Sequence, residues 1–90
     1  MLKIHKGLEG QGCIFLLSGR IREEDIAELE KLIRTEQGKV VLDLKEIKLV
    51  DRAAVKFFVQ CGSEAIEIRN ASPYIREWIS REAAGKKQDS

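Results

Sequence analysis

A short buried strand that leads almost directly into a helix is the feature that most constrains this fold. The segment "KVVLDL" (39–44) is apolar and β-branched, which is typical of a buried strand. "KEIKLV" carries the chain on to Asp51, which fits the N-cap of a helix. Val55 and Phe58 then begin one apolar helical face. A strand and a helix joined in this way predict a crossover to a parallel strand.

Other segments extend this pattern on both sides. The alternating "LKIHK" (2–6) and the apolar "CIFLLS" (13–18), separated by glycines, predict a β-hairpin. Residues 23–36 carry apolar side chains at helical spacing, with acidic residues in the first turn. "AIEIR" (65–69) alternates as a strand does, and "NASPYIREWISRE" (70–82) predicts a last helix.

The predicted order is therefore β-β-α-β-α-β-α, an α/β fold with a mixed four-stranded sheet and three helices. The hairpin alone is antiparallel. Because 90 residues fill only one core, we expect a single domain over residues 1–84. The remaining residues, 85–90, lack apolar anchors and are expected to form a disordered tail.

The alternation of apolar and polar residues in the strands predicts helices mainly on one face of the sheet. Ile14, Leu16 and Val41 then form an apolar strip on the other face. Either helix ends and strand connections cover this strip, or a homodimer contact buries it. The residues expected in the core are Ile26, Leu29, Leu42, Leu44, Val55, Phe58, Ile66, Ile75 and Trp78.

Charge and hydropathy exclude several classes of partner. Lys and Arg together number 16 against 15 for Asp and Glu, so no excess of cations attracts nucleic acid. No apolar run approaches the roughly 20 residues of a membrane span, so direct membrane insertion is not expected. Cys13 and Cys61 follow no metal or redox spacing and are expected to be buried free thiols in the cytoplasm.

The candidates for catalysis are few. His5 is the only histidine and lies at the polar phase of an edge strand. Cys61 closes a helix and has no histidine to activate it. We therefore predict no enzyme activity, no metal and no cofactor.

The turn from strand to helix at Asp51 is the remaining candidate site. A helix N-terminus carries unpaired N–H groups and partial positive charge, and Arg52 adds a full charge. Lys56, four residues on, lies on the same face. These cations are either solvated or bind an acidic partner. The predicted partner-binding residues are Asp51, Arg52, Ala53 and Lys56.

Three segments, "LSGRI", "VVLDLKEIKLVD" and "NASPYIREWI", resemble the STAS domain of bacterial anti-sigma factor antagonists over roughly residues 10–82. The most specific match is a hydrophobic strand followed by an Asp, two apolar steps and a second Asp that opens a helix, here Asp43, Ile47, Leu49 and Asp51. The Ser-Pro start of the last helix, at Ser72 and Pro73, is a second match. The resemblance implies a regulatory module that binds a protein, and this chain would be a minimal member.

The resemblance also implies a phosphorylation switch that this chain does not carry. In STAS domains of this type the Asp is followed by a serine or threonine that a partner kinase phosphorylates. Arg52, Ala53 and Ala54 stand there in this sequence, so no phosphorylation is expected at the usual site. Arg22 likewise stands where many relatives have a capping Asp.

The sequence leaves three functions open. The first is a non-catalytic regulator of the anti-sigma factor antagonist type, which binds an anti-sigma factor or a switch kinase. The second is a cytoplasmic accessory subunit of a membrane transporter. The third is a sensor in which the helix N-terminus and Arg52 bind a small anionic ligand.

Overall fold

The computed structural model of the protein describes residues 1–88 and confirms the predicted order of elements. The strands and helices are β1 (Lys3–Glu9), β2 (Gly12–Ile21), α1 (Glu23–Arg34), β3 (Val40–Val50), α2 (Arg52–Ser63), β4 (Glu67–Arg69) and α3 (Pro73–Gln88).

The four strands form one mixed sheet, as predicted, and their order in it is β1-β2-β3-β4. β1 and β2 are antiparallel, and β2 with β3 and β3 with β4 are parallel. The hairpin closes with Glu9 opposite Gly12 across a two-residue turn, in which Gly10 adopts a φ of +60° that disfavours most side chains. Because β2, β3 and β4 lie in sequence order, right-handed crossovers place α1 and α2 on the same face.

β3 is longer than the apolar segment, residues 39–44, from which a strand was predicted. The 11 residues of β3 follow β2 through two register shifts, the first between Leu16 and Ser18. This irregularity inserts an extra residue into β3, so Leu44 and Ile47, three residues apart, are both buried. The shift explains why strict alternation does not hold along "KEIKLV".

The fourth strand is shorter than the predicted range 65–69. Only Glu67–Arg69 pair with β3, because Ala65 and Asn70 adopt positive φ angles of 63° and 60° on either side. Ala65 belongs to the turn that ends α2, and its N–H donates to the carbonyl of Gly62. Asn70 turns the chain out of the sheet, and its side-chain amide donates to both carboxylate oxygens of the buried Asp43.

The core lies between the sheet and the helices. Predicted core residues that are buried are Leu29, Leu42, Leu44, Val55, Phe58 and Ile75. Ile26 and Ile66 are half-buried and pack against this core. Buried residues absent from the prediction include Cys13, Phe15, Leu17, Ile21 and Phe57.

Trp78 does not belong to the core, and its assignment there was wrong. α3 directs Ile75 and Ile79, one turn apart, toward the core. Trp78 is half-buried at the edge of that face, with its ring centroid 5.8 Å from that of Tyr74. The helical spacing is correct, but the wide ring lies beside the apolar stripe rather than within it.

On the opposite face of the sheet, polar contacts interrupt the predicted apolar strip. Val41 is only 3% exposed, whereas Leu16 is 41% exposed. Arg69 on β4 donates to both carboxylate oxygens of Glu9 on β1, at 2.8 and 3.1 Å, and also to Glu67 at 2.9 Å. Because β4 and β1 are the two edges of the sheet, this ion pair crosses the face on which Val41 lies.

The predicted boundary after residue 84 falls within α3, which continues to Gln88. Residues 89 and 90 of the predicted tail lie outside the described residues.

Replacing Phe58 with Ala should lower the free energy of unfolding by about 3–5 kcal/mol, because a fully buried ring leaves a cavity. Phe58 is 1% exposed, whereas Tyr74 on α3 is 55% exposed and provides the matched control. Tyr74→Ala should cost less than about 1 kcal/mol. Chemical denaturation of both variants checks this, and equal losses would contradict the position of the core.

Candidate functional site

The side chain of Asp51 joins the N-termini of α1 and α2. One carboxylate oxygen, Oδ1, accepts the backbone N–H of Ala54 at 2.9 Å, which caps α2 as predicted. The other, Oδ2, accepts the N–H of Glu23, the first residue of α1, at 2.8 Å. A single negative charge therefore neutralises the partial positive charge of two helices.

Parallel strands bring these two helix N-termini together. Ile21 and Val50 are register partners at the ends of β2 and β3, and each is followed by one residue before a helix begins. The backbone N–H of Asp51 donates to the carbonyl of Ile21 at 3.3 Å. Arg22 has no side-chain oxygen to cap α1, so the carboxylate of Asp51 serves instead.

Arg52 opens α2 with its side chain 70% exposed. Its Nε donates to Oε1 of Glu82 on α3 at 3.2 Å. Glu82 was not identified from the sequence as a partner of Arg52. The guanidinium is held over the junction of α2 and α3, although solvent weakens such an exposed pair.

A shallow groove of about 460 Å³ runs between α2 and α3. Among the described side chains, its charged lining consists of Arg52, Lys56 and Arg81, with Glu82 as the one carboxylate. The other lining residues are Val59, Gln60 and Gly85. We call this surface the cationic groove.

The structure separates the four predicted site residues into two groups. Arg52 and Lys56 line the cationic groove together. Asp51 does not line it, because its carboxylate is directed toward the helix N-termini. Ala53 is half-buried and also lies outside the groove lining.

Sequence reasoning missed the contribution of α3. Arg81 and Glu82 are about thirty residues from Arg52, and no local spacing links them. Within α3, however, Tyr74, Trp78 and Arg81 follow one another at intervals of four and three residues, so they lie along one side of the helix. This spacing is visible in the sequence and could have indicated that one side of α3 contributes to the site.

The histidine and the two cysteines differ in their exposure. His5 is exposed on β1. Cys13 and Cys61 are buried and free, as predicted. Burial is the main cause that raises the pKa of both thiols, that of Cys61 to about 12. Among the described residues, no three His, Cys, Asp or Glu side chains are grouped as metal ligands would be.

Within residues 1–88, no helix is both long and apolar enough to cross a membrane.

The fold described above is the SpoIIAA-like fold of STAS domains. A solved protein with this fold, described as an uncharacterized member of the DUF3478 family from Shewanella loihica, is similar to this chain with a TM-score of 0.55. The similarity covers 91% of this chain and 76% of that one at 15% sequence identity, a level that supports the fold alone. No family model matches the sequence, and a comparison with curated proteins gives no match.

Asp51→Ala should lower the free energy of unfolding by about 1–3 kcal/mol, because it leaves two helix N–H groups without their acceptor. Asp25→Ala is the matched control, since that carboxylate accepts only the N–H of Arg22 at 2.9 Å among the described residues. Denaturant titrations should show the larger loss for Asp51→Ala. Equal losses would mean that the bond to Glu23 contributes nothing.

Both native thiols should react slowly with a thiol-specific disulfide reagent. The thiolate is the nucleophile, so a pKa of about 12 at Cys61 lowers its population at pH 8 about a thousandfold relative to a free thiol. Labelling should become fast in denaturant. Because the folded pKa lies above the unfolded one, the free energy of unfolding should also decrease with rising pH toward about 12. Rapid labelling of native protein would contradict the burial of Cys61.

Proposed function

We propose that this protein is a non-catalytic STAS-type regulator that binds an acidic surface of a partner protein through the cationic groove. An anti-sigma factor or a switch kinase is the kind of partner that the family resemblance implies. The observation that carries the proposal is the position of Arg52, where the phosphoacceptor of STAS regulators is expected, beside Lys56 and Arg81.

The geometry of Arg52 suits a carboxylate from outside the chain. Glu82 takes the Nε–H, and among the described side chains no other group bonds the guanidinium. The terminal nitrogens therefore keep N–H donors that can form a paired, two-hydrogen-bond contact with a carboxylate. Lys56 and Arg81 add further positive charge along the same groove.

An aromatic pair beside the groove supports a protein partner over a small ion. Tyr74 is 55% exposed and Trp78 is half-buried, with their ring centroids 5.8 Å apart. Arg81 follows Trp78 by three residues on the same side of α3. Tyr, Trp and Arg are the residues that most often dominate binding energy at protein interfaces.

The same groove is compatible with two alternative functions. An acidic cytoplasmic surface of a membrane transporter has the charge that the groove requires, so a role as its accessory subunit uses the same residues. A small anionic ligand would use Arg52, Lys56 and Arg81 without the aromatic pair. These alternatives differ in whether Tyr74 and Trp78 take part in binding.

Arg52→Glu should weaken the complex with a partner recovered by co-purification by at least about tenfold, or 1.4 kcal/mol, because it places a carboxylate against an acidic surface. The melting temperature should change by only a few degrees, since Arg52 is exposed. Calorimetry at moderate salt measures the affinity.

The matched control is Arg34→Glu, which reverses an 80% exposed cation at the last turn of α1, outside the cationic groove. It should leave the affinity unchanged. Equal affinity of Arg52→Glu and the wild type would refute the proposed site. A thermal shift by small anionic metabolites that is lost in Arg52→Glu but kept in Tyr74→Ala would favour the sensor.

A further inference from the structure

Within residues 1–88, β1 leaves one long edge of the sheet without a neighbouring strand. It is the first strand in the sheet order and pairs only with β2. In a hairpin with a two-residue turn, the residues that flank the turn, here Glu9 and Gly12, direct their backbone groups toward each other. Alternate residues of β1 therefore direct their N–H and C=O groups outward: Ile4, Lys6 and Leu8.

Charged side chains usually keep the edge strands of natural proteins from pairing with other chains, and β1 carries Lys3 and Lys6. The ammonium of Lys6, however, lies 2.7 Å from the carboxylate of Glu36, which offsets its charge. Leu8 is 88% exposed on the same strand. The edge therefore combines free backbone groups with an apolar side chain that nothing in the described chain covers.

We propose that β1 pairs antiparallel with β1 of a second copy of this chain, with Lys6 opposite the partner's Lys6 at the two-fold axis. Ile4 then lies opposite the partner's Leu8, and Lys3 lies opposite the partner's Glu9. Symmetry repeats each contact, so two apolar pairs form, and each Lys3 joins the ion pair that the partner's Glu9 already makes with Arg69 of its own chain. The two sheets become one continuous sheet with its helices on the same face.

Charge and apolar matching select this register. A register centred on His5 places Ile4 opposite the partner's Lys6, and one centred on Gly7 places Leu8 opposite it. Both put an ammonium against an apolar side chain. Intermediate registers pair outward-directed backbone groups with inward-directed ones and form no ladder. Only the register centred on Lys6 covers Leu8 with an apolar residue and matches Lys3 with a carboxylate.

The like charges at the two-fold axis do not oppose this arrangement strongly. Each Lys6 stays paired with Glu36 of its own chain, so two neutral ion pairs meet there. The seven residues of β1 form a small contact, and a reversible dimer rather than a permanent one is expected. The cationic groove stays open, because α2 follows β3 and leads to β4 at the other side of the sheet.

Sedimentation equilibrium of the full chain tests the dimer. The wild type should change with concentration from the monomer mass of 10.2 kDa toward twice that value. Leu8→Lys should weaken association by about tenfold or more, because symmetry removes two apolar pairs at once. Leu16→Lys is the matched control, because Leu16 is exposed on the face of the sheet and not at its edge.

A wild type that stays monomeric up to about 1 mM overturns the proposal. So does a dimer that Leu16→Lys abolishes and Leu8→Lys leaves intact, since that result places the contact on the open face.

Cross-linking tests the register independently. In the proposed arrangement only residue 6 faces its own copy, with Cα atoms about 5.5 Å apart, a distance that a disulfide can span. Lys6→Cys should therefore form a covalent dimer on mild oxidation. Lys3→Cys, far from the axis, should not, and neither should the wild type with its buried Cys13 and Cys61. Equal cross-linking of Lys3→Cys and Lys6→Cys, or none of Lys6→Cys, overturns the register.

Discussion

The carboxylate of Asp51 between two helix N-termini is the contact on which the arrangement of this fold depends. It accepts N–H groups from Ala54 in α2 and Glu23 in α1, at 2.9 and 2.8 Å. These bonds hold the starts of α1 and α2 side by side at the ends of β2 and β3. Because α3 packs on α2, the cationic groove lies between two helices, one of which begins at this carboxylate.

Much of this architecture could be predicted from periodicity, but the bridging bond could not. The N-cap role of Asp51 follows from its place before an apolar helical face. The bond to Glu23 forms because Ile21 and Val50 lie side by side at the ends of two parallel strands. This depends on tertiary structure, which local sequence patterns do not reveal. One clue was present: Arg22 cannot cap α1 through a side-chain oxygen, so its first N–H groups needed an acceptor from elsewhere. The length of β4 could not be predicted from the sequence either, because it depends on the positive φ of Ala65.

The candidate site could be predicted only in part, because it also depends on contacts between helices that are distant in sequence. Helical spacing alone relates Arg52 to Lys56. Arg81 and Glu82 join them only because α3 packs against α2, with Ile75 buried and Ile79 packed against the core. Trp78 shows the converse case, since its spacing fits an apolar face but the ring is half-buried beside Tyr74 and outside the core. Local sequence patterns therefore predict which face of a helix is polar, but not which other helix completes a site.

Arg52 places a positive charge at the start of α2, and Glu82 on α3 places a negative charge beside it. In the regulators that the sequence resembles, a phosphate here would place roughly −1.5 to −2 charges at the start of the helix. Oε1 of Glu82 lies 3.2 Å from Nε of Arg52, so the carboxylate on α3 is placed to pair with a cation that extends from this position. A hydroxyl in place of Arg52 would remove this contact. Neither Arg52 nor Glu82 can be phosphorylated by a serine kinase, so the charge of this surface stays constant, as the proposed binding to an acidic partner requires.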